Sequence, residues 1–366
     1  MPILTRVSPA ERTLLKAPLR IVSIGGGTGL STILSGLKKH TRGAQDDAEA
    51  GLPAVDIAAV VTVTDDGGSS GRLRRDFDIL PPGDIRNCMT ALSEDEHLLS
   101  RLFQYRFDGG RGLKGHSFGN LFLTALHQIT GDFAQAVKLS SEILAIRGRI
   151  FPATSANVTL EAVLRDGTAV AGESKISKSS CPIEKIRLRP EHCDPLEETL
   201  EAIGKADLIT LGPGSLYTSV IPNILVKQIP EAIADSAAMK VYFVNLMWQP
   251  GETINFSASA HVAAIHAHAG RKLIDCVVLN SAPIPQRLAR SYARADVQPV
   301  ENDLDNLRAL GVKVVTADLV SEMPVARKKI RHDPEALARV VIDLASRSRV
   351  YQIRKNTLAL RGSPGQ

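Results

Sequence analysis

The chain has 366 residues, room for one large α/β domain or two smaller ones. Apolar residues make up 44% and aromatics only 4%, so any core must be aliphatic. A formal net charge of +5, with no basic run interleaved with aromatics, argues against a nucleic-acid surface. Cys88, Cys181, Cys193 and Cys276 form no C-x-x-C pair and read as reduced thiols. With no signal-like start and no long apolar run, the expected place is the cytoplasm, without a membrane span.

In chain order, Ile21, Val22 and Ile24 make a β-branched run that suits a buried parallel strand. Gly25, Gly26, Gly27 and Gly29 follow, with Thr28 among them, and Leu30, Ile33, Leu34 and Leu37 then fall at helical spacing. Strand, glycine loop and helix form a phosphate-binding pattern, because free N–H groups and the helix dipole meet an anion there. A dinucleotide fingerprint would need glycine where Leu30 stands, and no Gly-Lys-Ser/Thr completes a Walker loop.

Val55 to Thr64 predicts a second buried strand running into Asp65-Asp66-Gly-Gly-Ser-Ser-Gly-Arg72. The two carboxylates suit either a magnesium ion that neutralises a pyrophosphate or the hydroxyls of a ribose. Pro81 to Asn87 is a third loop, with Asp84 as a cap and Arg86 and Asn87 in the first helical turn. Gly109 to Gly115 reads as flexible. Gly115-His-Ser-Phe-Gly-Asn120 then opens a helix with His116, Ser117 and Asn120 at its start. Its Gly-x-Ser-x-Gly spacing lacks the preceding strand of a nucleophile elbow, so a polar cap touching ligand is the favoured reading.

A helix over 133–147 follows. Residues 158–176 then predict a β-hairpin turning at Asp166-Gly167, joined by a third strand at 183–188. The α/β alternation resumes at Ala206, where a strand ends in Gly212-Pro-Gly214-Ser215, with Tyr217, Thr218 and Ser219 as further donors. Later strands are read at 241–247, which carries Asn245, at 273–280 and at 312–316, with a final helix over 334–345. His261 and His268 share a helix face, for which ordinary structural histidines are the commoner outcome.

Taken together, residues 25–31, 62–72, 81–87, 115–120, 212–219 and 249–253 resemble the YvcK family, the gluconeogenesis factors, related in fold to the CofD 2-phospho-L-lactate transferases. The resemblance spans about residues 20–345. It implies a Rossmann-like, doubly wound, mostly parallel sheet with a small antiparallel β subdomain at 150–190. Residues 1–19 become an N-terminal extension, 20–350 one domain, and 351–366 a disordered tail. It also implies binding of UDP-sugars, notably UDP-N-acetylglucosamine, in support of cell shape and peptidoglycan synthesis under gluconeogenic growth. Tyr292 and Arg331 match the positions that hold the UDP-sugar. A cell-envelope protein partner and a homodimer are further expectations.

The chain departs from the family at Trp248, usually threonine, at Ala260, usually aspartate, and at Pro334, where some relatives carry a phosphorylatable threonine. The alternative function is a CofD-like transfer of a phospholactyl-type group from a guanosine pyrophosphate to a deazaflavin, with magnesium. A nicotinamide oxidoreductase is disfavoured by the missing third glycine.

Overall fold

The computed structural model describes residues 17–41, 53–94, 98–321 and 329–361. Most of the N-terminal extension lies outside them.

Seven parallel strands form an open sheet. They are β1 (Leu19–Gly25), β2 (Val55–Val61), β3 (Arg149–Pro152), β7 (Leu208–Leu211), β8 (Met239–Phe243), β9 (Cys276–Asn280) and β10 (Lys313–Ala317). Their order across the sheet is β10-β9-β8-β7-β1-β2-β3. The central strands are buried almost without interruption, which is why they read as continuous apolar runs rather than alternating ones. The second sheet is antiparallel and built from β4 (Thr159–Leu164), β5 (Ala169–Ala171) and β6 (Ile183–Arg189), in the order β5-β4-β6. The doubly wound α/β architecture with a small antiparallel piece is therefore as expected.

Four helices start at the polar loops read from the sequence: α1 (Gly27–Lys38), α2 (Gly68–Phe77), α3 (Gly83–Leu92) and α4 (Phe118–Thr130). α1 packs between α3 and the last helix, α5 (Pro334–Arg361).

Four local readings are corrected. β3 went unread because it is four residues long and ends in Pro152, a residue that edge strands tolerate and central ones do not. The hairpin does not continue to Ile176: Gly172 turns at φ +100° and Glu173–Ile176 is one helical turn, with the Asp66 carboxylate accepting the Ser174 N–H at 2.8 Å. The segment read as flexible, Gly109 to Gly115, is tied at its base. Residues 105–118 pair back on themselves through Phe107 N to His116 O, Gly115 N to Phe107 O and Phe118 N to Tyr105 O.

The disordered tail is overturned as far as Arg361, since α5 continues there without a break. No glycine or proline follows Pro334 until Gly362. Midway along α5, Arg349 ties it to Asp207 and to the carbonyls of Ala17 and Pro18. Residues 362–366 lie outside the described residues. Among the described residues no helix is long and apolar enough to cross a membrane.

Candidate functional site

β1 and β7 are neighbours, yet the chain leaves them in opposite directions along the sheet. Such a switch point opens a crevice at the carboxyl ends of the strands. Both glycine loops lie there and touch: a Cβ on Gly29 would stand 2.1 Å from the Pro213 carbonyl oxygen. Only glycine lets the two backbones approach so closely.

A cavity of about 520 Å³ opens over this contact, within the usual range for a small-ligand site. Gly26, Gly27, Thr28 and Gly29 line it from one loop; Pro213, Gly214 and Ser215 line it from the other. Asn245 and Gln249 form a third wall. Asn245 Nδ2 donates to Gln249 Oε1 at 2.9 Å, and Gln249 Nε2 donates to Ser215 Oγ at 2.9 Å.

Tyr292 and Arg331 close the far side. The Tyr292 hydroxyl accepts the Ile330 N–H at 3.2 Å. Among the described residues, the Nε–H of Arg331 is buried with no acceptor. His332 is held neutral, its pKa down to about 4 through burial, while its ring bonds the Val244 carbonyl oxygen at 3.3 Å.

A carboxylate cluster lies behind the first loop. A Cβ on Gly26 would stand 2.7 Å from Asp84 Oδ2, and one on Gly83 would stand 2.6 Å from Asp65 Oδ2. Burial, reinforced by the charge of Asp65, raises the pKa of Asp84 to about 6, while the nearby Gly27 N–H pulls it down. The N–H of Gly27 therefore already faces a carboxylate, leaving Thr28 and Gly29 as the first-turn donors of α1 toward the cavity. Glu173 belongs to the same cluster. Burial pushes it up to about 9, helped by Asp84 and Asp65, so it is neutral at physiological pH. Asp65 also accepts the Gly67 N–H at 2.8 Å. Asp66 faces the small sheet, where Ser174 engages it, so the adjacent Asp65–Asp66 pair does not act as one unit.

Arg86, Asn87, His116, Ser117 and Asn120 gather beyond the carboxylates and do not line the cavity. Ser117 caps α4 by accepting the Asn120 N–H and also accepts from Arg86 Nη1 at 2.8 Å. His116 bonds Ser69 Oγ at 3.0 Å instead of Ser117, so no His–Ser dyad forms.

Two other candidates serve the frame. Gly212 precedes the second loop at φ +70° without lining the cavity. Tyr217 is buried, edge-on to Phe256 and His268. Its N–H donates to Glu252 Oε2, and Thr218 Oγ1 donates to Oε1, both at 3.0 Å. That buried carboxylate clamps the π-helical turn Leu216–Val220 that supports the loop.

Sequence reasoning missed Gln249, Ser177 and Glu252 in the wall, and Glu173 behind it. The run Gln249-Pro-Gly-Glu252 after a strand was a visible signal. Glu173 had none, because it sat in a segment read as strand. Among the described residues, no three His, Cys, Asp or Glu side chains form a metal cage. A larger cavity, about 860 Å³, opens beside Phe151 at the β3 edge, but no glycine loop reaches it.

The family model described as 2-phospho-L-lactate transferase CofD matches residues 21–320. The gluconeogenesis factor of Bacillus subtilis is 46% identical over 325 residues, covering 89% of this chain and 98% of that protein. That of Halalkalibacterium halodurans is 45% identical over 323 residues, covering 88% of this chain and 95% of that protein. A solved Bacillus halodurans structure, titled a member of the UPF0052 family, superposes with a TM-score of 0.82 at 45% identity. It covers 88% of this chain and 99% of its own.

Proposed function

This chain belongs to the CofD family, among its gluconeogenesis factors, and from that premise we propose that it is a cytoplasmic regulator that binds a nucleotide sugar of the UDP-N-acetylglucosamine type. The diphosphate lies between the N–H groups of Thr28 and Gly29 and the loop of Gly214 and Ser215. Arg331 grips it, and Tyr292 stacks on the base or sugar. The carrying observation is the Arg331 Nε–H, buried in the cavity wall with no acceptor among the described residues. An unmet buried donor costs about 1–3 kcal/mol, and a phosphate oxygen removes that cost. The relatives' name supports a role in gluconeogenic growth. The extension to cell shape and peptidoglycan synthesis rests on the motif resemblance.

Calorimetry with UDP-N-acetylglucosamine, GDP and NAD tests the reading. The expected result is micromolar binding of the UDP-sugar, weakened at least about tenfold in Tyr292→Ala and in Arg331→Ala.

A second reading, CofD-like group transfer, is favoured by the Asp84 carboxylate beside Gly26, with Asp65 acting on it from beside Gly83. Hard carboxylate oxygens next to a diphosphate seat fit magnesium, which takes one or two carboxylates plus phosphate oxygens. When bound, the ion would neutralise charge on the pyrophosphate. Asp65 and Asp84 would hold it, and the two glycine loops would orient the donor. Tighter binding of GDP than of the UDP-sugar, with turnover of a deazaflavin, reverses the ranking. If magnesium leaves ligand binding unchanged in wild type and Asp65→Asn alike, the metal role falls.

A further inference from the structure

Three guanidinium groups converge beyond the carboxylates, outside the glycine-loop cavity. Arg72 Nη1 donates to the Lys114 carbonyl oxygen at 3.0 Å, and Arg106 Nη1 donates to the next carbonyl, of Gly115, at 2.6 Å. Arg86 reaches the same corner through Ser117 Oγ, two residues further on. Its Nη2 donates to Asn87 Oδ1 at 2.6 Å, and its Nε is buried without a partner. Among the described residues, none of the three is bonded to a carboxylate. They also feel one another. Burial and then the charge of Arg106 lower the pKa of Arg86, while burial, Arg72 and Arg106 lower that of His116. Asp84 and Asp65 pull the other way on Arg86, and Asp76 does so on His116.

Like charges gathered at one corner repel unless an anion sits among them. The corner is also the N-terminus of α4, a 13-residue helix whose dipole adds to the positive field. Among the described residues, every hydrogen-bond anchor of these guanidiniums is a carbonyl, a hydroxyl or an amide, which positions the forks without neutralising them. We infer that Arg72, Arg86 and Arg106 form a second anion site, separate from the glycine-loop cavity, for a phosphate monoester. Three guanidiniums suit a tetrahedral dianion with three acceptor oxygens better than a single carboxylate. This site does not depend on the nucleotide-sugar reading.

The probe is inorganic phosphate, titrated calorimetrically into the full chain with and without saturating UDP-N-acetylglucosamine. The expected result is millimolar or tighter binding that persists with the UDP-sugar present. It weakens at least about fivefold in Arg106→Gln and at least about twentyfold in Arg86→Gln/Arg106→Gln. Arg106 is exposed, so its single variant reports binding even if the double variant unfolds. The proposal is overturned if phosphate gives no heat up to about 20 mM, well beyond millimolar affinity. It is equally overturned if Arg106→Gln changes nothing, or if Arg331→Ala removes phosphate binding as fully as the arginine changes do. Failure of the UDP-sugar to bind leaves the titrations without nucleotide fully informative.

Discussion

The hydroxyl of Tyr292 accepts the backbone N–H of Ile330, the residue before Arg331. The ring on one wall of the cavity thus steadies the segment that carries the cation. Tyr292→Phe keeps the ring and removes only this link. It is expected to weaken UDP-N-acetylglucosamine about three- to tenfold, the worth of one hydrogen bond, and Tyr292→Ala by more. Calorimetry on the two variants checks this; equal losses would mean that the ring itself contributes nothing beyond its hydroxyl.

Gly29→Ala puts a methyl group 2.1 Å from the Pro213 oxygen, where backbone rather than a flexible side chain must move. A destabilisation of about 3 kcal/mol and a fall in Tm of about 4 °C are expected. Ligand binding should be lost with it. An unchanged melting curve would show that the two loops do not pack as described.

Glu252 holds two donors with its two oxygens. Glu252→Ala strands the Tyr217 N–H and should cost about 1–3 kcal/mol. Glu252→Gln should restore most of this, because the amide oxygen still accepts from Tyr217 while the Thr218 hydroxyl turns to accept from the amide nitrogen. Urea unfolding of both variants is the measurement, and a glutamine variant as weak as the alanine one would contradict the clamp.

His261 is fully buried, its Nδ1 donating to the Ser257 carbonyl and its Nε2 unpartnered. Burial lowers its pKa from 6.5 to about 4, against smaller upward pulls from Ser257 and Asp303. Below pH 6.5 the unfolded chain takes up a proton that the folded chain refuses, so stability falls as pH falls toward 4. The loss from this one group is about 2–3 kcal/mol between pH 7 and 4. His261→Phe should flatten the acid limb of the stability curve by that amount. Denaturant midpoints at pH 7 and 4.5 measure it, and an identical fall in the two proteins would exclude the assignment.

Much of this was legible in the sequence, for physical reasons. The buried strands announce themselves because parallel strands covered on both faces must be apolar throughout. The glycine loops do so because close backbone approach admits no other residue. Tyr292 and Arg331 were reached only through resemblance, since nothing local marks an exposed helix or a basic segment as a cavity wall. Asp84 was read as a helix cap. Its carboxylate instead meets the start of a different helix at Gly27, a contact between segments more than fifty residues apart. The partition of polar loops into a cavity and a separate arginine corner is likewise a product of tertiary packing. The sequence shows which loops share the sheet's rim, not which way each side chain turns.

The order of strands has one further consequence. The jaw at Gly26–Gly29 follows a strand whose onward chain fills one flank through β2 and β3; the jaw at Gly212–Ser215 follows a strand whose onward chain fills the other through β8, β9 and β10. The small antiparallel sheet lies between these two halves in the chain. Each half carries one jaw and neither carries both. Severed within that intervening segment, the polypeptide would regain a gripping surface only by reassembly, so the pocket is itself a reporter of whether the halves have met.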